Sequence, residues 1–253
     1  MHSCLFSFQA IPASVYRYKV GFDLQNLAKS VHFFNVMAYD LHGVWDDPPL
    51  VGAHSDIRVI DEAIEYMLTN SSVPASQIVL GLAAYGRSYT LANETCVTLG
   101  CPFQEDSNET AIGGCLETNT FVPYVEISQW TEEGQGAGYD LITMDMASRS
   151  VVMVKDGDQI IVYDNPESFK AKVDYATTKC LGGTMVWAID MLPFGMKRLG
   201  GIAGDGLFAQ SGVLDEETAG DAFCGPTWDD AISTCSTPCP SGTSDDCPQG
   251  ETW

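Results

Sequence analysis

The feature that most constrains this chain is a set of short, continuously apolar stretches separated by amphipathic helical patterns. Phe33 to Tyr39, Ile78 to Tyr85 and Thr184 to Ile189 are such runs, and Gln9 to Ala13 is a shorter fourth. A strand without polar alternation is buried on both faces, which is the condition of a parallel sheet covered by helices. Between these runs, Leu24, Leu27, Ala28 and Val31 share one face of a helix predicted over 23–31. Ile57, Ile60, Ile64, Met67 and Leu68 mark a second helix, with Ser55 or Asp56 placed to cap it. Asn165 and Pro166 read as N-cap and first position of a third helix. Its stripe is Phe169, Val173, Ala176 and Cys180, and Gly182 and Gly183 end it. The order strand, helix, strand, helix, strand, long gap, helix, strand predicts an α/β fold with a parallel sheet. Half of an eight-stranded barrel and a small open sheet both satisfy this pattern, and periodicity alone does not choose.

The gap, residues 89–161, differs in character. It carries Cys96, Cys101 and Cys115, and its segments Val151–Lys155 and Gln159–Tyr163 flank Asp156-Gly157-Asp158 as a β-hairpin. This predicts an inserted α+β subdomain. Residues 201–223, rich in Gly, Ala and acidic side chains, read as a linker. A Cys-, Pro- and Ser-rich module begins at Cys224 and runs to 253, with Cys235, Cys239 and Cys247. Neither cysteine group has the paired spacing with nearby His that zinc requires, so disulfides in an oxidising compartment are expected and no metal or cofactor is. N-glycosylation sequons at Asn70, Asn93 and Asn108 point the same way. Together they predict a secreted protein. Met1 to Phe8 lacks a basic n-region and is a poor signal peptide.

Charge excludes partners. There are 12 Lys plus Arg against 34 Asp plus Glu, and no basic residue follows Arg198. Such a chain repels phosphate backbones and anionic lipid, so neither nucleic acid nor a membrane surface is expected as partner. A neutral polysaccharide is not repelled. No apolar run is long enough for a membrane span.

In parallel α/β barrels function collects where strands end. Three such ends are informative: Met37-Ala38-Tyr39-Asp40, Tyr85-Gly86-Arg87 and Trp187-Ala188-Ile189-Asp190. Aromatic faces stack on sugar rings, while carboxylate and guanidinium groups bond hydroxyls and amides, so the set suits carbohydrate. Taken singly, each Tyr or Trp also reads as core packing.

The stretch FFNVMAYDLHGVWD resembles the sixth-strand motif of glycoside hydrolase family 18, with its Met-x-Tyr-Asp and His-Gly-x-Trp. LGLAAYGRSYTL resembles that family's seventh strand, and VYDNPESFKAKVDYATTKCLGGTMVWAIDM its last helix and eighth strand. AIPAS, residues 10–14, looks like strand five. The cysteine pattern and the tail resemble secreted fungal chitinases related to killer-toxin chitinase subunits. The resemblance implies the C-terminal half, strands five to eight, of a TIM (β/α)8 barrel, formed by 1–88 and 162–200, with the insertion at 89–161. It implies substrate-assisted hydrolysis of β-1,4-linked N-acetylglucosamine in chitin, in which the substrate's own acetamide is the nucleophile. Tyr39 matches the Tyr that bonds the acetamido carbonyl, and Asp40 its polar neighbour. By the same resemblance Met37 is expected to line the subsite floor, Trp187 to lie beneath the reacting sugar, and Tyr85 and Arg87 to form pocket walls. Trp45 is expected to stack a neighbouring sugar, and His42 and Asp46 share its loop.

One part of the family pattern is absent. The acid lies in Asp-x-x-Asp-x-Asp-x-Glu, and no such string occurs in these 253 residues. Asp40 and Asp190 are strand-end carboxylates but match other places. The expectation is a chitinase-family chain inactive by itself. The alternatives are a non-catalytic, lectin-like chitin binder, or a remnant or assembly part with no sugar role.

Overall fold

The computed structural model of the protein describes residues 7–105, 120–131 and 139–193. Asn108, Cys115, the linker and the Cys-rich module fall outside these residues. Four parallel strands form one sheet in the order β1-β2-β3-β9: β1 Phe8–Pro12, β2 Phe33–Met37, β3 Ile78–Ala83 and β9 Gly183–Trp187. Pro12 pairs with Met37 and Ala83 with Trp187, so the C-terminal ends of all four strands share one edge. Every residue of β3 is buried, as a central strand with both faces covered requires.

Helices α1 Val15–Gly21, α2 Leu24–Leu27, α3 Ile57–Glu65 and α5 Pro166–Thr178 accompany this sheet. Ile60, Ile64 and Met67 from α3 and its following turn meet Phe34, Leu80, Leu82 and Phe169 in one core cluster. Asp56 caps α3, accepting from the Arg58 backbone N–H at 2.9 Å. At α5, Asn165 accepts from the Ser168 N–H and Ser168 Oγ accepts from the Asn165 N–H, a reciprocal box that fixes the helix start. The helix predicted over 23–31 is shortened to α2, Leu24–Leu27, and α1, Val15–Gly21, precedes it without having been predicted. The helix α5 ends at Thr178, before the Cys180 counted in its stripe.

The second sheet is antiparallel, in the order β5-β4-β8-β7-β6. It comprises β4 Tyr85–Thr90, β5 Phe121–Pro123, β6 Leu141–Asp145, β7 Ser150–Lys155 and β8 Gln159–Tyr163. The hairpin turn joins β7 to β8, with Lys155 opposite Gln159. Helix α4, Tyr124–Thr131, follows β5, and its Tyr124 and Ile127 pack with Val151, Met153 and Ile161. Cys96 and Cys101 form a disulfide in the loop after β4.

The run Ile78 to Tyr85 is not one strand. It crosses from the parallel to the antiparallel sheet at Ala84. The Ala84 N–H donates to the Trp187 carbonyl at 2.8 Å, and its carbonyl accepts from the Tyr124 N–H at 2.9 Å. One buried residue therefore satisfies a backbone partner in each sheet.

Two further contacts lock the elements. Gly182, before β9, donates its N–H towards the Ala75 and Ile78 carbonyls. A Cβ at Gly182 would lie 2.1 Å from the Ser76 carbonyl oxygen. Gly182→Ala is expected to cost about 1–3 kcal/mol, because backbone must move to admit the methyl group. A lowered urea midpoint with unchanged slope checks this. Behind the sheets, the Lys172 ammonium donates to both Asp164 carboxylate oxygens and to Ser55 Oγ, at 2.5, 2.6 and 2.8 Å, and all three residues are buried. Ser55 and Ser168 hydroxyls also donate to Asp164, at 2.8 and 2.7 Å. This network joins the loop after β2, the end of β8 and helix α5.

Candidate functional site

The strand-end edge of the parallel sheet carries the predicted residues. Tyr39 and Asp40 follow β2 directly, Tyr85 and Arg87 open β4, and Trp187 closes β9. Asp40 has φ 59°, a left-handed conformation that Asp tolerates better than bulkier residues. It turns the chain out of the strand. Tyr85 Oη donates to Asp40 Oδ1 at 2.6 Å, Arg87 Nε donates to the same oxygen at 3.0 Å, and an Arg87 terminal nitrogen lies 2.7 Å from it. All these donors meet one oxygen of a carboxylate that is 40% exposed. A charge-assisted cluster of this kind fixes Asp40, Tyr85 and Arg87 relative to one another.

Tyr39 packs edge-on to Tyr85, with ring centroids 6.1 Å apart, and both are buried. Burial, with the Asp40 charge adding to it, pushes the Tyr39 phenol up to about 12. It therefore stays protonated and able to donate at neutral pH. Tyr85 is shifted in the same direction by burial first, then by its hydrogen bond to Asp40. Met37 and Met185 pack against Tyr39 and Tyr85 from below.

Arg87 is also held from the side. Its guanidinium carbon lies 4.9 Å from the Trp45 ring centroid, 5.5 Å from Tyr85 and 5.9 Å from Phe121. Cation–π contact with three rings orients it towards Asp40. Trp45 reaches this position by crossing Gly43, where a Cβ would come within 2.4 Å of the indole. The same loop is tied by His42 Nδ1 and Asp46 Oδ2 at 2.8 Å. Trp45 stays 54% exposed and Trp187 55%. A groove of about 390 Å³ runs beside Trp45, lined by Val44, Asp46, Asp47, Pro49, Phe103 and Glu105.

The structure thus brings Asp40, Tyr39, Tyr85, Arg87, Met37 and Trp45 into one cluster. Trp187 stands on the same edge, opposite Ala83 in the sheet, and its peptide bond to Ala188 is cis. Asp190 is exposed in the short turn after it. Sequence reasoning missed two residues. Phe121, from β5, packs on Tyr85 at 5.2 Å, and no strand was predicted there. His54 is fully buried against Tyr85 at 5.1 Å, and a lone His in a loop gave no signal. Among the described residues, no group of His, Cys, Asp and Glu is arranged to hold a metal ion, and no helix is long and apolar enough to cross a membrane.

A parallel α/β sheet with an aromatic and carboxylate cleft at its strand ends is the setting in which the comparisons with known proteins fall. The family model for glycosyl hydrolases family 18 matches residues 6–191, and the chain belongs to that family. It is 30% identical over 196 residues to chitotriosidase-1 of Mus musculus, covering 73% of this chain and 39% of the relative. It is 29% identical over 186 residues to human chitinase-3-like protein 2, covering 69% and 45%. A family 18 chitinase from Cycas revoluta, solved with (GlcNAc)3, superposes with a TM-score of 0.60 at 27% identity, over 73% of this chain and 51% of that one. YKL-39, solved with chito-oligosaccharides, superposes with a TM-score of 0.67 at 27% identity, over 76% and 52%. The chain spans less than half the length of these curated relatives and about half of these solved chains.

Proposed function

We propose that the cleft is the acetamido-binding half of a chitin site, carried on strands five to eight of a (β/α)8 barrel with the antiparallel sheet as its insertion. The observation that carries this reading is the convergence of Tyr85 and Arg87 on one oxygen of Asp40, beside the buried Tyr39 packed edge-on to Tyr85. The arrangement leaves a phenol donor and the second Asp40 oxygen to meet a sugar's amide and hydroxyl groups. In this reading Tyr39 donates to the acetamido carbonyl and so orients the group that attacks the anomeric carbon, while Asp40 accepts from a neighbouring amide or hydroxyl. Met37 forms the floor, Trp187 the stacking platform, Tyr85 and Arg87 the wall, and Trp45 a platform for the next sugar. Relatives solved with N-acetylglucosamine oligomers support this choice of ligand. Secretion fits the disulfide and the sequons, and relatives that include a secreted chitinase of Penicillium expansum.

A second reading, binding without cleavage, draws on one observation: the cleft residues are present while the string Asp-x-x-Asp-x-Asp-x-Glu is absent from the 253 residues. Both readings require binding. Calorimetric titration of the chain with the N-acetylglucosamine tetramer is expected to give saturable heat. Trp187→Ala and Trp45→Ala are each expected to weaken it roughly tenfold, as loss of a stacking platform does. No heat from the unsubstituted chain at millimolar sugar would remove the reading.

A further inference from the structure

We propose that His54 is a positioning residue for Asp40: a buried imidazole that presents Nδ1–H to the carboxylate and gives it a second hydrogen-bonding position. The inference rests on the reading of the cleft as a sugar site.

His54 is 0% exposed, and neither ring nitrogen meets a hydrogen-bond partner among the described residues. Buried polar atoms without partners are uncommon and require an explanation. Two groups can supply one: the Tyr85 backbone, which the ring approaches outside full hydrogen-bond geometry, and the Asp40 carboxylate, whose Oδ1 lies 3.9 Å from His54 Nδ1. The two residues are already joined through their backbones, since the Leu41 N–H donates to the His54 carbonyl at 2.9 Å. The next residue, Ser55, is anchored by Lys172 and Asp164. With both main chains fixed, a turn of the Asp40 side chain is the motion that closes the gap.

The charge state follows from the surroundings. Burial holds the imidazole well below its ordinary pKa, and the Lys172, Arg87 and His42 charges act in the same direction. A contact of the ring with the Tyr85 backbone, outside full hydrogen-bond geometry, opposes them. The Asp40 carboxylate and the Tyr85 ring, whose hydroxyl donates to Asp40, also face the imidazole. A neutral imidazole has one N–H donor and one acceptor nitrogen. A carboxylate only accepts, so the proton facing it must sit on Nδ1.

The functional consequence concerns exchange. In the free cleft, Asp40 Oδ1 takes its hydrogen bonds from Tyr85 and Arg87. A sugar hydroxyl or amide that engages either donor leaves the carboxylate short of a partner. His54 supplies that partner from behind, and Asp40 moves without being left unpaired. The Tyr85 ring, packed on both His54 and Tyr39, keeps the two positions adjacent.

The tautomer is the direct test. In the nitrogen-15-labelled 253-residue chain, which has four histidines, the resonance lost in His54→Gln identifies this ring. Long-range proton–nitrogen correlation at neutral pH is expected to show the neutral Nδ1–H form, and Asp40→Ala to shift it towards Nε2–H. An Nε2–H ring in the unsubstituted chain, a charged ring, or one indifferent to Asp40→Ala overturns the inference. In tetramer titrations, His54→Phe is expected to bind roughly tenfold more weakly, the scale of losing one hydrogen bond to a charged group. His54→Gln, which keeps a donor, recovers most of that loss. Equal weakening in both variants also counts against positioning. A chain that shows the Nδ1–H tautomer but binds no sugar overturns the sugar reading and leaves the His54–Asp40 contact standing. A chain that binds sugar with the wrong tautomer does the reverse.

Discussion

Lys172→Met is expected to destabilise the protein by about 3 kcal/mol, at the lower end of what removing one partner of a buried ion pair costs. The substitution keeps most of the side-chain volume, so the effect is electrostatic. It leaves the Asp164 carboxylate in the interior with only the Ser55 and Ser168 hydroxyls donating to it. Those two bonds place the estimate low in the range. Asp164→Asn leaves the opposite problem, a buried ammonium whose pKa burial already lowers against the pull of Asp164. The double variant carries neither charge and keeps an acceptor for the serine hydroxyls, so it should be more stable than the sum of the single losses predicts. Urea unfolding of the four proteins measures the coupling. Additive losses would show that the pair contributes no mutual stabilisation.

Incubation of the 253-residue chain with chito-oligosaccharides is expected to release no shorter products over background. General acid catalysis alone supplies roughly 10²–10⁴-fold in rate. In the scheme proposed for this family the leaving oxygen must be protonated as the acetamide attacks. Neither strand-end carboxylate is suited to that work. Asp40 Oδ1 is already occupied as acceptor by Tyr85 and Arg87. Asp190 stands exposed beyond Trp187. Product chromatography checks the expectation, and appreciable turnover would show that an acid elsewhere in these residues suffices. The same chain is expected to bind the tetramer, so hydrolysis and binding separate cleanly.

The parts of the fold that sequence made legible are those specified by local chemistry. The buried strands announced themselves through unbroken apolar runs, the β7–β8 hairpin through Asp-Gly-Asp, and α5 through Asn165-Pro166. The illegible parts depend on partners far along the chain. Helix α1 buries only Tyr18, so its sequence offers no stripe to read. Strands β5 and β6 are short or half-exposed and exist because β4 and β7 present edges to them. The change of sheet at Ala84 has no signature, since an alanine within an apolar run is equally at home in an uninterrupted strand. The site shows the same division. Tyr39, Asp40, Tyr85, Arg87 and Trp187 could be placed together in advance because a strand end is visible in sequence. His54 and Phe121 were not, because only the folded chain brings a loop and a later strand against Tyr85.

The passage through Ala84 also governs what lengths of chain this cleft tolerates. Side chains on a strand alternate between faces, so one added or removed residue there would turn both Tyr85 and Arg87 away from Asp40, to the other face of β4. The floor of the cleft belongs to one sheet and its wall to the other, and a single peptide unit carries the phase between them. The loop after β4 has no such duty and can absorb insertions far more readily. Length variation among related chains is therefore expected in that loop, with the spacing from β3 to Arg87 held constant.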